Sequence, residues 1–367
     1  MAQWNRVPLI DCIELIGGGT PKTTVPEYWN GNIPWLSVKD FNNDKRYVYS
    51  TEKHISQSGF ENSPTKMLHK DDIIISARGT VGEIAMIPFD MAFNQSCYGI
   101  RASRGIDQPF LYYLLKNCIS QLKRMTHGSV FDTITRDTFA NIEVDIPDAE
   151  TQKRISSVLA DIDNKIEVND AINDNLQQQA QAIYSSMFID NPDPAWSHGH
   201  LSDLITVKYG KDHKKLADGI YPVYGSGGIM RHVERPLYNK ESVLIPRKGT
   251  LNNVVYVNQP FWSVDTMFYT EMKLPNVAKF VYHFVKAKDL AAMNAGSAVP
   301  SMTTDILNAM EVVIPSASAL EEFESLVAPM YEAMKANDVQ SQALSKMRDA
   351  LLPKLMSGEI DVSAVRP

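Results

Sequence analysis

The sequence predicts an α+β protein in which two mixed α/β domains are separated by two long antiparallel coiled-coil helices. Three observations predict it. Residues 152–190 carry a mostly apolar seam with unbroken spacing, the same seam recurs 168 residues later, and short β-branched runs precede each copy. A repeat of this length, with its helices packed antiparallel, would give the chain an internal pseudo-twofold.

The seam residues alternate at spacings of four and three, which is typical of a coiled coil rather than of the broader apolar stripe of a globular helix. The first seam is Ile155, Leu159, Ile162, Ile166, Asn169, Asn173 and Leu176; the second is Phe323, Val327, Met330, Met334, Asn337, Ser341 and Leu344. Polar residues interrupt both seams at the same place, and we expect them to meet and fix the register. Two ordinary amphipathic helices with exposed asparagines are the alternative.

The repeat extends into the domains before the helices. Strands are predicted at residues 73–75, 83–87 and 98–100, and again at 243–245, 254–257 and 267–269. A helix follows in each copy (110–125 and 277–293), and then a last strand (142–144 and 311–314). The first copy is longer by about twenty residues between Ile16 and Ile73, because the offset between the copies falls from 192 to 170.

These patterns predict four segments. Residues 1–147 form the first domain, 148–190 the first helix, 191–317 the second domain, and 318–367 the second helix with a tail. Asp148 is the candidate cap of the first helix, and Ser318 with Glu321 forms a capping box for the second.

Charge and cysteine content limit the class of protein. The net charge of −7 rules out a generally basic nucleic-acid-binding chain, and residues 191–318, with 13 basic and 11 acidic side chains, are the only positive segment. DNA binding would therefore need local patches or a basic partner. Three cysteines without a C-x-x-C pair indicate a reducing, cytoplasmic setting, and no apolar run predicts a membrane span.

One loop pattern recurs directly after a strand. Arg78 and Thr80 flank Gly79, and Lys248 and Thr250 flank Gly249, with Arg247 before them. Arginine grips guanine or phosphate with two hydrogen bonds, and glycine lets the backbone approach closely. A plain turn with solvated side chains is the alternative, and the recurrence favours contact with DNA.

Other candidate contacts are polar or aromatic residues near glycines and in the densest basic run. The lysines after Lys208 could anchor phosphate, and the alternative is that they are solvated on the surface. For the loop residues Ser129 and Ser297 the alternative is packing between domains. For Tyr98 and Tyr224 the alternative to base contact is a place in the core. These candidates are Thr20, Lys22, Lys39, Ser96, Tyr98, Ser129, Lys211, Lys214, Lys215, Tyr224, Arg231 and Ser297.

Enzyme patterns are weak. Pro147-Asp148 with Asp163-Asn164-Lys165 formally fits a metal-dependent nuclease, but Asp163 follows a seam residue on a long helix, where the carboxylates would not gather. Asn191-Pro192-Asp193-Pro194 is only superficially like an amino-methyltransferase motif, and no His/Cys cluster has metal-ligand spacing. We expect no catalytic residue, metal or cofactor.

The chain resembles the specificity subunit of type I restriction-modification systems over nearly its whole length. The motifs that carry the resemblance are Gly17-Gly18-Gly19-Thr20-Pro21-Lys22, Ile33-Pro34-Trp35-Leu36, Ala77-Arg78-Gly79-Thr80-Val81-Gly82, Asn94-Gln95-Ser96, Gln152-Lys153-Arg154-Ile155 and the run from Met347 to Ile360. The second domain departs from the pattern, with Tyr209-Gly210-Lys211 and Tyr221-Pro222-Val223-Tyr224-Gly225 in place of the first two motifs.

The resemblance implies two target recognition domains that each read half of a split sequence in double-stranded DNA, with the helices as a ruler. It also implies two docked adenine methyltransferase subunits, with motor-nuclease subunits joining for restriction. The alternative is a coiled-coil scaffold that binds proteins and not DNA. A strong salt dependence and a bipartite preference of the methyltransferase-bound complex would discriminate the two.

Overall fold

The computed structural model describes residues 4–103, 105–126, 133–293 and 301–365, and it divides into two compact units. The first unit comprises residues 1–169 and 338–367, and the second comprises residues 170–337. The division falls inside both long helices rather than at their ends. Each unit therefore holds one domain together with a part of each helix.

The first domain alternates short strands and short helices before its long helix begins. Its strands are β1 Asn5–Pro8, β2 Ile13–Gly17, β3 Trp29–Leu36, β4 Lys53–Ile55, β5 Met67–Leu68, β6 Ile73–Ser76, β7 Ile84–Met86, β8 Met91–Phe93, β9 Cys97–Ala102 and β10 Glu143–Ile146. Its helices are α1 Val38–Phe41, α2 Gln57–Glu61, α3 Gln108–Thr126 and α4 Arg136–Ala140, and the long helix α5 spans Ala149–Ser185 and ends in a π-helical turn, Ser186–Asp190.

The second domain repeats this order with fewer elements. Its strands are β11 Ser197–His200, β12 Ile205–Tyr209, β13 Asp218–Gly225, β14 Gly228–Val233, β15 Ser242–Pro246, β16 Val255–Val257, β17 Trp262–Ser263, β18 Met267–Met272 and β19 Glu311–Ile314. Its helices are α6 Leu201–Leu204, α7 Ala278–Lys286 and α8 Thr304–Asn308, followed by the long helix α9 Ala317–Met356.

Each domain is built on an antiparallel four-stranded sheet, in the order β2-β9-β6-β7 in the first unit and β12-β18-β15-β16 in the second. Strands β6 and β15 are buried at every position because both faces of the sheet are covered. Ile73 and Ile75 pack toward α3, whereas Ile74 faces a second core. Val243 and Leu244 divide in the same way in the second unit. The run of β-branched residues that predicts these strands thus reflects two-sided burial.

A smaller sheet covers the other face in each unit, in the order β4-β3-β8-β5 or β14-β13-β17, and contains the parallel pairs β3-β8 and β13-β17. A two-stranded ribbon, β1-β10 or β11-β19, leads into each long helix. The matching strand orders confirm the internal repeat.

The extra length of the first domain is spread over three loops rather than placed at one insertion. Pro34 pairs with His54 on the neighbouring strand, as Pro222 pairs with His232. The two prolines are 188 residues apart and the two histidines are 178 residues apart. The offset between the two copies of the repeat therefore falls from 192 to 170 in three steps, which lie before β3, between β3 and β4, and between β4 and β6.

The long helices run antiparallel within each unit. In the first unit, Ile155 and Leu159 near the start of α5 share a core with Leu352 and Leu355 near the end of α9. In the second, Phe323 and Val327 near the start of α9 share one with Ala180 and Tyr184 near the end of α5. The predicted antiparallel packing of the two helices is confirmed in both units, and it is consistent with a coiled coil.

The polar interruptions of the two seams meet as predicted. Asn169 donates from its amide to Gln340 Oε1 at 2.9 Å and to Ser341 Oγ at 3.1 Å in the first unit. Asn337 donates to Asn173 Oδ1 at 2.8 Å in the second. Asn169 is fully buried, so sliding one helix past the other would place polar groups against apolar ones and cost stability.

Two predicted helix ends differ from the structure. Ser316, not Ser318, caps α9 by accepting the Ala319 N–H at 3.3 Å, whereas Asp148 caps α5 as predicted, through the Thr151 N–H at 2.9 Å. The helix predicted to residue 293 ends at Lys286, because the Asp289 carboxylate accepts the Ala292 N–H at 3.2 Å and a side-chain amide from Asn252. In the described parts of the chain, no helix is long and apolar enough to span a membrane.

Candidate nucleic-acid interface

The glycine-rich loop after β2 is held against the chain by close backbone contacts. A Cβ on Gly18 would lie 2.1 Å from the Asn94 carbonyl oxygen, so no other residue fits there. Gly19 donates its N–H to Phe93 O at 2.9 Å, and its own carbonyl accepts the Trp35 indole N–H at 3.1 Å. This anchoring fixes the position of Thr20.

Three loops of the first domain meet at this point. The Thr20 hydroxyl donates to the Gln95 side-chain oxygen, and Ser96 O accepts the N–H groups of Ala77 and Arg78 at 2.8 and 3.2 Å. Arg78, Thr80 and Gln95 are exposed, while Gly79 has a φ of +79°, which favours glycine. The structure therefore brings the loops of Thr20, Arg78, Thr80 and Ser96 together, although these residues are far apart in the sequence.

The second domain repeats this arrangement with other side chains. A Cβ on Gly210 would lie 2.0 Å from Val264 O, and Lys211 donates its N–H to Ser263 O at 2.7 Å. Thr266 O accepts the N–H groups of Arg247 and Lys248 at 2.9 and 3.3 Å, as Ser96 O does in the first domain. The second domain lacks the glycine-rich and Ile-Pro-Trp-Leu motifs, yet its loops make the same backbone hydrogen bonds as those of the first domain.

An indole closes both loops, but it comes from different strands. Trp35 lies on β3, whereas the Lys211 carbonyl accepts from Trp262 on β17, at 2.8 Å. Trp35 pairs across the sheet with Ala92, and Val223 pairs with Trp262. The tryptophan therefore lies on β3 in the first domain and on β17, the equivalent of β8, in the second. In both domains it donates the same hydrogen bond, and its strand partner is a small or β-branched residue.

The exposed side chains of the two loop clusters differ. Gln95 in the first domain corresponds to Asp265 in the second, and both are exposed. Neither was among the candidates from the sequence, although Gln95 lies in a motif that carried the resemblance. An amide both donates and accepts, whereas a carboxylate only accepts, so the two clusters offer different hydrogen bonds.

Basic side chains surround the second cluster. Lys211, Lys214, Lys215 and Lys248 are exposed. Arg247 donates to the Asp265 carbonyl at 3.2 Å and lies over the Tyr209 ring, 5.5 Å from its centroid.

The remaining candidates lie in different settings. Lys22 and Lys39 are exposed, with Lys39 Nζ 4.0 Å from Glu52, and Thr250 is exposed beside Gly249. Tyr98 is half-buried against Phe139. Ser129 and Ser297 lie outside the described residues.

Two candidates have structural partners instead. Tyr224 is only 8% exposed and belongs to an apolar core, so it presents little ring surface for a base. Arg231 donates to Leu216 O at 2.9 Å and to Asp218 at 2.7 Å, which ties β14 to the preceding loop.

The first domain is attached to the helix pair by a buried ionic cluster. Arg348 of α9 donates to Asp163 of α5 at 2.9 Å, and the Tyr113 hydroxyl of α3 donates to the same carboxylate at 2.7 Å. Burial is the largest single influence and would lower the pKa of Arg348, but Asp163, Asp349 and Asp44 together outweigh it and raise that pKa. The loop between β3 and β4 joins this cluster through Asp44, 3.2 Å from Arg348, and through Arg46, 3.0 Å from Glu167.

The second domain uses neutral groups at the equivalent place. His283 of α7 corresponds to Tyr113, and its ring nitrogens lie 2.8 Å from Gln181 Oε1 and 2.9 Å from the Tyr331 hydroxyl. Burial, with Lys286 nearby, lowers the pKa of His283 to about 4. Each loop cluster is thus carried by a domain that is fixed to its part of the helix pair.

The carboxylates of the nuclease-like pattern have structural roles. Asp163 is buried in the ionic cluster, and Asp148 caps α5, where the Thr151 N–H lowers the pKa of its carboxyl. No group of His, Cys, Asp and Glu among the described residues could hold a metal ion. Burial raises the pKa of Cys97 and Cys118 to about 12, so these thiols are poor nucleophiles.

Two copies of one domain, each presenting polar and basic side chains on anchored loops, define a class of two-domain recognition proteins. Comparison with known sequences gives the family. The model of the type I restriction modification DNA specificity domain matches residues 1–178 and 195–322. The chain belongs to this family and is a specificity subunit, the DNA-recognition component of such a system and not an enzyme.

Individual relatives agree over almost the whole chain. The type I restriction enzyme MjaIX specificity subunit of Methanocaldococcus jannaschii is 26% identical, over 98% of this chain and 94% of its own. The EcoprrI specificity subunit of Escherichia coli is 22% identical, over 90% of each. The crystal structure of the type I restriction-modification S subunit from M. genitalium has the same fold, with a TM-score of 0.58 at 16% identity over 96% of both chains.

Proposed function

We propose that the chain reads a bipartite target in double-stranded DNA, with one half-site for each domain, and positions two adenine methyltransferase subunits on it. Motor-nuclease subunits would join this complex for restriction. The observation that carries the proposal is the repeated loop cluster, in which the same backbone bonds hold Thr20, Arg78 and Gln95 in one domain and Lys211, Lys248 and Asp265 in the other.

The two clusters fit a division between phosphate contact and base reading. Arg78 and Lys248 each follow a strand, and their backbone N–H groups donate to a carbonyl of the neighbouring loop, so the backbone at both residues is fixed. Their exposed cationic side chains suit phosphate or guanine. Gln95 suits adenine, since an amide pairs with its N6 and N7, whereas Asp265 suits the amino group of cytosine. The proposed half-sites are therefore unlike.

The remaining exposed candidates act as phosphate anchors in this proposal. Lys22, Lys211, Lys214 and Lys215 are lysines on loops of the two domains, Lys39 lies on the short helix α1, and Thr80 and Thr250 follow the recurrent glycines. Such contacts raise affinity without reading sequence. Because the chain carries a net charge of −7, we expect partner subunits to neutralise many of the phosphates. Three free, buried cysteines are consistent with action in the cytoplasm.

The paired helices would set the distance between the half-sites. Their polar interruptions fix the register of α5 and α9 in each unit, and a fixed register is what a ruler requires. Residues 148–190 and 318–367 are the proposed spacers, and residues 1–147 and 191–317 the proposed target recognition domains.

The proposal is tested by co-expressing the chain with its cognate methyltransferase subunit in a methylation-free host and sequencing the modified adenines. A split motif with a fixed gap is expected. A stable complex that adds no methylation would favour a scaffold that binds proteins and not DNA.

A pair of variants tests the loop cluster itself. Arg78→Ala should weaken binding of the methyltransferase-bound complex to its target by about tenfold or more, or lower the salt slope by about one if Arg78 contacts phosphate. Lys70→Ala is the matched control, because Lys70 is exposed just before β6, at the strand end opposite to Arg78. Equal effects of the two variants would contradict the assignment.

A further inference from the structure

The start of β14 in the second domain, directly after the turn from β13, presents two adjacent apolar side chains. Ile229 is 51% exposed and Met230 is 59% exposed. We name these two residues the apolar tip. Single exposed apolar residues are ordinary on protein surfaces, so the tip needs further evidence before it indicates a contact.

The local backbone holds the tip in place. Val223 pairs with Arg231 and Tyr224 pairs with Ile229, so Met230 is the extra residue of a β-bulge, and bulges redirect side chains. A Cβ on Gly225 would lie 2.7 Å from Met230 Sδ, so the facing strand leaves room for this side chain.

The tip is tied to the loop cluster of the second domain. The Asn253 amide donates to Ser226 O at 2.9 Å, and a Cβ on Gly249 would lie 2.7 Å from Ser226 Oγ. Arg231, next to Met230, donates to Leu216 O and so joins the strand to the lysine-bearing loop. The apolar tip is therefore part of a surface whose neighbouring loops are basic, which suits a polyanion rather than an apolar protein partner.

The first domain has no equivalent tip among its described residues. There, residues 37–52 replace the short turn, and they run to the long helix α5, where Arg46 pairs with Glu167, and to α3, where Asp44 pairs with Lys116. The apolar tip thus distinguishes the second cluster from the first, as a specificity element would.

Base edges in the major groove carry one apolar group, the C5-methyl of thymine. We infer that the apolar tip, Ile229 and Met230, contacts a thymine methyl group in the half-site read by the second domain. This inference rests on the proposed function. Because the proposed modification falls on adenine, each half-site contains at least one thymine.

The test replaces each thymine of the mapped target, in turn, by deoxyuridine, which lacks the methyl group, and measures binding of the methyltransferase-bound complex. One replacement should weaken binding by about three- to fivefold, the effect of one buried methyl. The Ile229→Ala/Met230→Ala double variant should bind the thymine and deoxyuridine duplexes equally, at the level of wild type on deoxyuridine.

Ile220→Ala is the matched control. Ile220 is 79% exposed on the same hairpin but lies near the end of β13 remote from the turn, so this variant should keep the discrimination. Unchanged recognition of the other bases of the same half-site shows that the second domain of the double variant is folded. The inference alone is overturned if the double variant still discriminates between the thymine and deoxyuridine duplexes, or if the target is bipartite but no thymine in it is methyl-sensitive. The proposed function is overturned as well if the wild-type complex shows no bipartite preference.

Discussion

Replacing Arg348 should destabilise the packing of the first domain against the helices. The side chains of Arg348 and Asp163 are 5% and 4% exposed, and their charged groups are 2.9 Å apart. At an effective dielectric constant of about 20, their attraction is roughly 6 kcal/mol, much of which offsets the desolvation of both groups. Arg348→Met leaves Asp163 buried with only the Tyr113 hydroxyl as a described partner, and such a loss costs about 3–5 kcal/mol.

Hydrogen exchange followed by mass spectrometry measures this cost in each unit separately. Peptides from α3 and from the α5 segment around Asp163 should exchange faster by the factor that this free energy sets, while peptides of the second unit serve as the internal control. Asp349→Ala is the matched variant, since Asp349 also binds Arg348, at 2.8 Å, but its side chain is 60% exposed. It should cost under about 1 kcal/mol.

The double variant Asp163→Leu/Arg348→Met separates loss of the pair from loss of packing. It should be more stable than Arg348→Met, because no charge is left buried without its partner. If Arg348→Met costs no more than Asp349→Ala, or if the double variant is the least stable of all, the cluster does not hold the first domain in place.

Three further predictions concern the spacer, the second unit and the anchored loop. Inserting a heptad into one helix seam adds about 10 Å, or roughly three base pairs; it should lengthen the tolerated spacer or abolish function, and methylation sequencing that showed altered half-site bases with the old spacer would contradict the ruler. Because burial, with Lys286 nearby, lowers the pKa of His283 from 6.5 to about 4, the unfolded chain binds that proton first, so the second unit should lose stability as the pH falls from about 6.5 to 4. His283→Gln should remove this part of the dependence in urea unfolding at several pH values, and parallel curves for variant and wild type would refute it. Gly18→Ala forces a Cβ to within 2.1 Å of Asn94 O and should reduce target binding while leaving exchange in α3 unchanged, whereas wild-type binding would show that the loop is not part of the interface.

Much of the fold could be predicted because its signals are local or strictly periodic. The apolar runs at Ile73 and Val243 are continuous since their strands are buried on both sides, and the 168-residue repeat of the seam aligns the polar positions that meet in the structure. The cap of α9 was placed two residues late because Ser316 and Ser318 both have a hydroxyl, and only the backbone decides which one accepts an N–H.

The candidate site was less predictable because it depends on loops that meet across the fold. No sequence pattern shows that Gln95 lies beside Thr20, or that Trp262 replaces Trp35, since the indole comes from a neighbouring strand. The apolar tip was missed for a similar reason. Ile229 and Met230 resemble strand residues of the core, and only the bulge and their exposure distinguish them.

The exchange of the two tryptophans shows what the two domains have in common. Each cluster is anchored by backbone N–H groups, backbone carbonyls and one indole, and none of these anchoring bonds uses the side chains of Arg78, Lys248 or Asp265. The Gln95 side chain adds one bond of its own in the first cluster, by accepting the Thr20 hydroxyl. The exposed side chains can therefore change without loss of the bonds that fix the loops. A protein that must read two unlike half-sites with one fold needs this separation, because substitutions that alter base preference then leave the stability of the domain nearly unchanged.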